Sequence, residues 1–434
     1  MLTSRNQNSH KQLPPCRHRT PLGLLLATAG LLLGANGLTH AQSALPRMTI
    51  DQMQYTGAFR LPSGTFGSSS ANYSYGAIGY NPTRKSLYVA GNEQEGAIAE
   101  FAVPEIVNST RLADLKTSGT PLQAFTNVTK KASIDAGQGI RISGIFYSGG
   151  RLLVNVYRFY DLGPFLTKQA LILSNATDIK GSTTRGYIST AGDSSAAGWV
   201  SPIPTALQSM LGGTHMCGFT SSTARALVYN SSEGPAAYSF NPVAAMASDA
   251  SSMPTNALMR FTPDQGLVTR DELYNNNLTN KLWTFISEGS FGMVMPGTRT
   301  YMVLGGSGGH ESGVAYGDPP YGGYKGYYAK DQKDNYPYYW LFDINDFDKV
   351  RKGQMKPSDI RPYAVGKFNV PFATGTWSPV SGGSYDESTG TLYLSVYRAD
   401  SQSGGNPPVI VTYKVGSSQP SQPRPMPPVN TSAQ

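Results

Sequence analysis

Residues 75–103 read YGAIGYNPTRKSLYVAGNEQEGAIAEFAV. Three short runs stand out, YGAIGYN, SLYVAG and AIAEFAV, separated by NPTRK and NEQEG. The runs alternate in polarity and are rich in aromatic and aliphatic residues. Pro, Asn and Gly fill the gaps. That pattern specifies three strands with two tight connections, not a helix.

Working outward, the unit recurs. The first unit has strands at 75–81, 86–91, 97–103 and 122–128. The second has them at 140–147, 151–157, 169–174 and 186–190, the third at 215–220, 224–230, 236–240 and 258–262. The fourth has them at 290–295, 300–305, 338–343 and 363–370. The fifth shows three, at 382–386, 391–397 and 409–415. An orphan strand at 55–61, YTGAFRL, can supply its fourth. A ring of four-stranded sheets closed this way has no free edge. The chain therefore predicts an all-β fold, a five-bladed β-propeller closed by the N-terminal strand. Six or seven blades are the alternative if units have been merged, and 191–213 is where a hidden strand pair would lie. The connections between third and fourth strands, such as NPVAAMASDASSMPTNA, have room for a helical turn.

The chain starts with an export signal. Arg5, Lys11, Arg17 and Arg19 precede an apolar run at 21–38, followed by Thr39-His40-Ala41. Small residues at the −3 and −1 positions place cleavage after Ala41. The domains are then a signal peptide at 1–41, one propeller at 42–415, and a disordered Pro/Ser/Gln-rich tail at 416–434. The mature chain carries 31 basic and 27 acidic residues, too mild an excess for a nucleic-acid partner. No second apolar run is long enough to span a membrane. Cys217 is the one cysteine left, so the mature chain forms no internal disulfide. The expected location is periplasmic or extracellular.

These strand repeats and the ring closure, over roughly residues 50 to 415, resemble secreted five-bladed propeller proteins. Several glycosidase families and some sugar-binding lectins use that architecture. The YNP…SLYVAG and DIRPYAVGKF patterns are also similar to uncharacterised exported bacterial proteins. The resemblance implies a glycan ligand at the face formed by the second-to-third-strand connections. It brings no catalytic signature, and a propeller by itself hosts many activities.

In such a ring the starts of the first strands converge on the central channel. Tyr75, Arg141, His215, Glu288 and either Trp377 or Ser378 hold those places. Tyr75, Arg141, His215 and Glu288 are the catalytic candidates. His215, in GGTHMCGF, is a candidate general acid or base, and Glu288, in FISEGSFG, a candidate enclosed carboxylate. Arg141 suits a substrate carboxylate or an ion pair with Glu288. A second set follows the second strands: Glu93 and Glu95, Arg158, Tyr160 and Asp161 in VYRFYD, Glu233, and Arg398 and Asp400 in VYRAD. The recurrence of VYR fits a shared structural role, Arg bracing Asp, as well as ligand contact. Residues 305–339 form a Tyr- and Gly-rich insertion with eight tyrosines and His310. Tyrosine faces stack on sugar rings, so Arg158, Tyr160, Asp161, His310, Tyr321, Tyr324 and Arg398 are the substrate-binding candidates.

The chain lacks a phosphate-binding glycine loop, a paired-cysteine zinc pattern, HExxH and GxSxG. No cofactor is expected, and a channel-bound cation such as calcium stays open. The first functional reading is an exported propeller that binds a polysaccharide and cleaves it, by elimination from a uronate or by glycoside hydrolysis. The alternative is a non-catalytic glycan-binding or envelope-assembly propeller.

Overall fold

The computed structural model describes residues 45–133, 139–161, 168–191, 194–220, 232–323, 325–374, 377 and 379–415. The segments read as a signal peptide, 1–41, and as a tail, 416–434, lie outside them. Five four-stranded antiparallel sheets follow one another along the chain. Blade 1 runs Ile78–Asn81, Ser86–Ala90, Ala97–Ala102 and Gln123–Asn127 from the inside out. Blade 2 runs Ile140–Ser148, Arg151–Arg158, Ala170–Leu173 and Thr184–Ile188. Gly149 and Gly150 turn its first hairpin in two residues, both at positive φ, the geometry that matches strand twist. Blade 4 runs Glu288–Val294, Thr300–Gly308, Asn335–Asp343 and Ala364–Lys367.

Blade 3 departs from expectation. Its inner strand is Trp199–Pro202, and His215–Gly218 is its second strand. Ala237–Phe240 and Thr255–Met259 complete it. The strand expected at 224–230 falls outside the described residues. The stretch 191–213 does hold a hidden strand, together with the helix Thr205–Leu211. The blade count remains five: Trp199–Pro202 takes the inner place, the strand at His215 becomes the second, and the third and fourth strands keep their places.

Blade 5 consists of Val380–Asp386, Thr391–Val396 and Val409–Lys414, completed by Gln54–Arg60. Arg60 on this closing strand reaches the fully buried Asp400 with two bonds, Nε to Oδ2 at 2.8 Å and Nη2 to Oδ1 at 3.1 Å. The expected closure holds, strengthened by an ion pair.

Second strands such as SLYVA and TLYLSV are buried at every position, because each blade is covered on both faces by its neighbours. Each inner strand packs on the next around the ring. Glycine permits this close approach: a Cβ on Gly144 would lie 1.9 Å from the Gly198 carbonyl oxygen. A Cβ on Gly382 would lie 2.1 Å from that of Gly76. Inner strands of blades 2, 4 and 5 each carry a bulge, and the extra residue is a buried serine every time: Ser143, Ser290 and Ser381. The connections between third and fourth strands carry the expected helices at Pro242–Ala247 and Ile344–Arg351. Among the described residues no helix is long and apolar enough to cross a membrane.

Candidate functional site

Arg141 and Glu288 stand in the same register, two residues ahead of the bulged serine on their inner strands. Arg141 faces Tyr157 across its hairpin, and Glu288 faces Gly306. Tyr75 comes just before the inner strand of blade 1. Its phenol donates to Glu288 Oε1 at 2.5 Å, and the Ser290 hydroxyl donates to the same oxygen at 3.4 Å. Tyr75 and Glu288 are both buried. The chain opposite Glu288 must be glycine. A Cβ on Gly305 would sit 1.9 Å from the Glu288 carbonyl oxygen, and one on Gly306 would meet Pro379 and the Trp377 ring. Trp377 thereby comes up beside the strand that carries Glu288; Ser378 lies outside the described residues.

Arg141 points to blade 1 instead of Glu288. Its Nη1 lies 3.2 Å from Glu93 Oε2, and its guanidinium sits 3.9 Å from the Phe159 ring centre. The two ion-paired side chains are 13% and 24% exposed, so the pair closes the site without leaving solvent. Between blades 1 and 2 lies a narrow recess with about 10 Å³ of free space for a water-sized molecule. Tyr75, Gly76, Glu93, Arg141, Ile142 and Tyr157 are among its walls.

Tyr397 was not among the candidates read from the sequence, although VYR recurs at Tyr157 and Tyr397. Its ring lies 5.0 Å from that of Tyr75. Burial pushes its phenol up to about 12; Glu93 and Glu288 add to the rise, while Arg398 and Arg141 oppose it. Both carboxylates and both guanidinium groups therefore act on one phenol.

The rim residues divide. Arg158 ends the second strand of blade 2 opposite Ile140. Tyr160 is exposed with its ring 4.4 Å from Phe159, while Asp161 is buried. Arg398 is exposed and lies 5.9 Å from the Tyr397 ring centre. The expected bracing of Asp400 by Arg398 is corrected, since Arg60 holds that carboxylate. Tyr321 donates to the Ala329 carbonyl within the blade 4 insertion. Tyr324 lies outside the described residues.

The structure separates the two histidines from Tyr75 and Glu288. His215 pairs with Pro202, at the end of an inner strand, whereas Glu288 stands at the start of one. It therefore sits at the opposite end of its blade and does not join the channel constellation. Its Nδ1 shares a hydrogen bond with the Thr214 hydroxyl at 2.9 Å, and its ring packs against Phe146. Burial lowers it to about 4. His310 is buried too. Its Nδ1 donates to the Asn280 carbonyl at 2.9 Å, which leaves Nε2 to accept from the Ser307 hydroxyl at 2.7 Å. It stacks on Tyr338 inside the base of the insertion. Cys217 is free and fully buried. Among the described residues no group of three His, Cys, Asp or Glu side chains is placed to hold a metal ion.

No family model matches the chain, and no curated protein does. One similar solved structure is described as belonging to the GH130 family of mannoside phosphorylases, with glycoside hydrolases that target β-1,2 mannosidic linkages in Candida mannan. It is 10% identical, covers 83% of this chain and 93% of its own, and has a TM-score of 0.35. Another is a humanized mutant of the Chaetomium thermophilum Polycomb Repressive Complex 2, 9% identical over 79% of this chain and 62% of its own, with a TM-score of 0.19. Neither score carries an argument about activity. The strand pairing itself makes the chain a five-bladed β-propeller, its ring closed by its N-terminal strand.

Proposed function

We propose that the protein is an exported propeller that binds a glycan where its inner strands begin, and cleaves it using Glu288 and Tyr75. The observation that carries this reading is the 2.5 Å bond from the Tyr75 phenol to a carboxylate with no solvent exposure. Burying a carboxylate is costly unless it is hydrogen-bonded. Here the bond also links the acid to a phenol in the wall of an open recess, so a proton can pass between them and a bound molecule. Cleaving a glycosidic bond needs such groups, one to give a proton and one to take it.

Glu93 is the second carboxylate, and like Glu288 it acts on the Tyr397 phenol. Its ion pair with Arg141 weighs toward hydrolysis. A uronate bound for elimination would have to displace Glu93 from Arg141, and His215 is not at hand as a base. Purified mature protein incubated with pectate, alginate, mannan and laminarin tests the reading. New reducing ends without unsaturated uronate are the expected products. Glu288→Gln should lower turnover roughly 10²–10⁴-fold with binding retained, the usual weight of an acid–base group, and Tyr75→Phe should lower it too. A Glu288→Gln protein that cleaves at the parental rate would end this reading. The complete burial of Glu288 favours a second reading, a glycan binder without catalysis, which predicts binding and no product.

A further inference from the structure

Among the non-glycine residues with left-handed backbone, Tyr73 at φ +55°, Tyr160 at φ +60° and Arg398 at φ +54° are found at this end of the ring. Side chains other than Gly or Asn are strained there. In this chain glycine fills most positions at positive φ. Little packing holds these side chains: Tyr160 meets the Phe159 ring and Arg398 the Tyr397 ring. Tyr160 is 56% and Tyr73 49% exposed, and Arg398 is exposed. Strain held by solvent-facing side chains marks places kept for contact with something else.

The three lie on consecutive blades, Arg398 on blade 5, Tyr73 ahead of blade 1 and Tyr160 on blade 2. Tyr73 is tied to blade 5 and to blade 1: its N–H donates to the Gly405 carbonyl, and its own carbonyl accepts from the Glu93 N–H. Two ladders of contacts run inward from the arc. Tyr160 meets Phe159 edge to face, and Phe159 lies against the Arg141 guanidinium. Arg398 lies on Tyr397, Tyr397 on Tyr75, and Tyr75 bonds Glu288. The first ladder uses the two residues that follow VYR in blade 2, and the second uses the Tyr and Arg of VYR in blade 5. Arg141 and Arg60 have carboxylate partners; Arg398 has no ion pair among the described residues.

We propose that this arc is an extended subsite for a linear acidic glycan, with Tyr160 and Tyr73 stacking on sugar rings and Arg398 holding a carboxylate. The inference rests on the glycan-binding reading and adds to it the length and charge of the ligand. A planar guanidinium recognises a carboxylate by two parallel bonds, and exposed phenol faces suit the apolar faces of pyranose rings.

Titration calorimetry with oligogalacturonates and oligomannuronates, as dimers and hexamers, tests it, with mannan hexamers as the neutral comparison. The acidic hexamer should bind at least about tenfold more tightly than the dimer. Arg398→Asn should weaken the acidic hexamer by about tenfold and leave the neutral one unchanged, and Tyr160→Asn should weaken the hexamer far more than the dimer. Asn tolerates left-handed backbone, so both variants should melt at or above the parental temperature. Parental affinity in both variants would overturn the subsite while leaving the recess reading intact, as would tighter binding of neutral chains by the parent. If the parent binds none of the chains, the glycan reading falls and the subsite with it.

Discussion

His215 shows how burial sets a residue's chemistry independently of where it sits in the chain. Held at about 4, its imidazole is neutral in the folded protein near neutral pH, while the unfolded chain takes up a proton near 6.5. Between those values the unfolded state binds more protons, so stability is complete above about pH 6.5 and is lost as pH falls toward 4. Burial lowers His310 as well, with the same sign. His215→Gln should flatten the fall in melting temperature between pH 6.5 and 4, removing an effect on the order of 3 kcal/mol at most. An unchanged pH profile in that variant would show that the imidazole is not what titrates. At this scale the sequence was legible where strand register decides position. Arg141 and Glu288 open inner strands, and both face the channel end. His215 misled because GGTHMCGF resembles the other inner strands, whereas the true one, WVSP, is four residues long and ends in proline. The Tyr75–Glu288 bond joins residues 213 positions apart, and no local pattern announces such a partner.

In the blade 4 insertion, composition and structure point in different directions. Its glycines and tyrosines predict a long irregular loop over the ligand face. Its ends are instead the extended strands Thr300–Gly308 and Asn335–Asp343, paired through Gly308 and Asn335, and a separate hairpin, Val314–Gly317 with Gly326–Ala329, stands beyond them. The location holds, since Gly306 at the base pairs with Glu288. Tyrosine favours a strand and glycine does not, so composition leaves the segment open and pairing with blade 4 decides it. The base also encloses His310, Ser307 and Ser287, bonded hydroxyl to hydroxyl at 2.6 Å. Replacing 315–328 by a short Gly/Ser link should therefore leave the ring folded, with a modest loss from uncovering Phe285, on which Tyr327 stacks at 4.0 Å. Replacing 306–335 should cost several kcal/mol, because it strips ladder bonds and strands buried polar groups. Chemical denaturation of the two deletions side by side measures the difference; equal stability would contradict the structural role of the base.

For the molecule as a whole, repetition made the ring legible and the orphan first strand made its closure legible. What sequence did not reveal was the ion pair that fastens the closure. Asp400 is fully buried, and Arg60 is its partner from the far end of the chain. Arg60→Ala would leave that charge uncompensated and should destabilise the domain by about 3–5 kcal/mol in urea unfolding, with Asp400→Asn in the same background recovering part of the loss. A loss below about 1 kcal/mol would mean that backbone pairing alone keeps the ring shut. The closure also fixes an order in time. Thr412 donates to the Gly57 carbonyl from 355 residues away, so the first strand synthesised is a partner of the last. At ~5–20 residues per second, that strand waits on the order of half a minute with its backbone unpaired. During that interval it is a bare edge open to other chains, and a ribosome that stops before residue 409 leaves it so permanently.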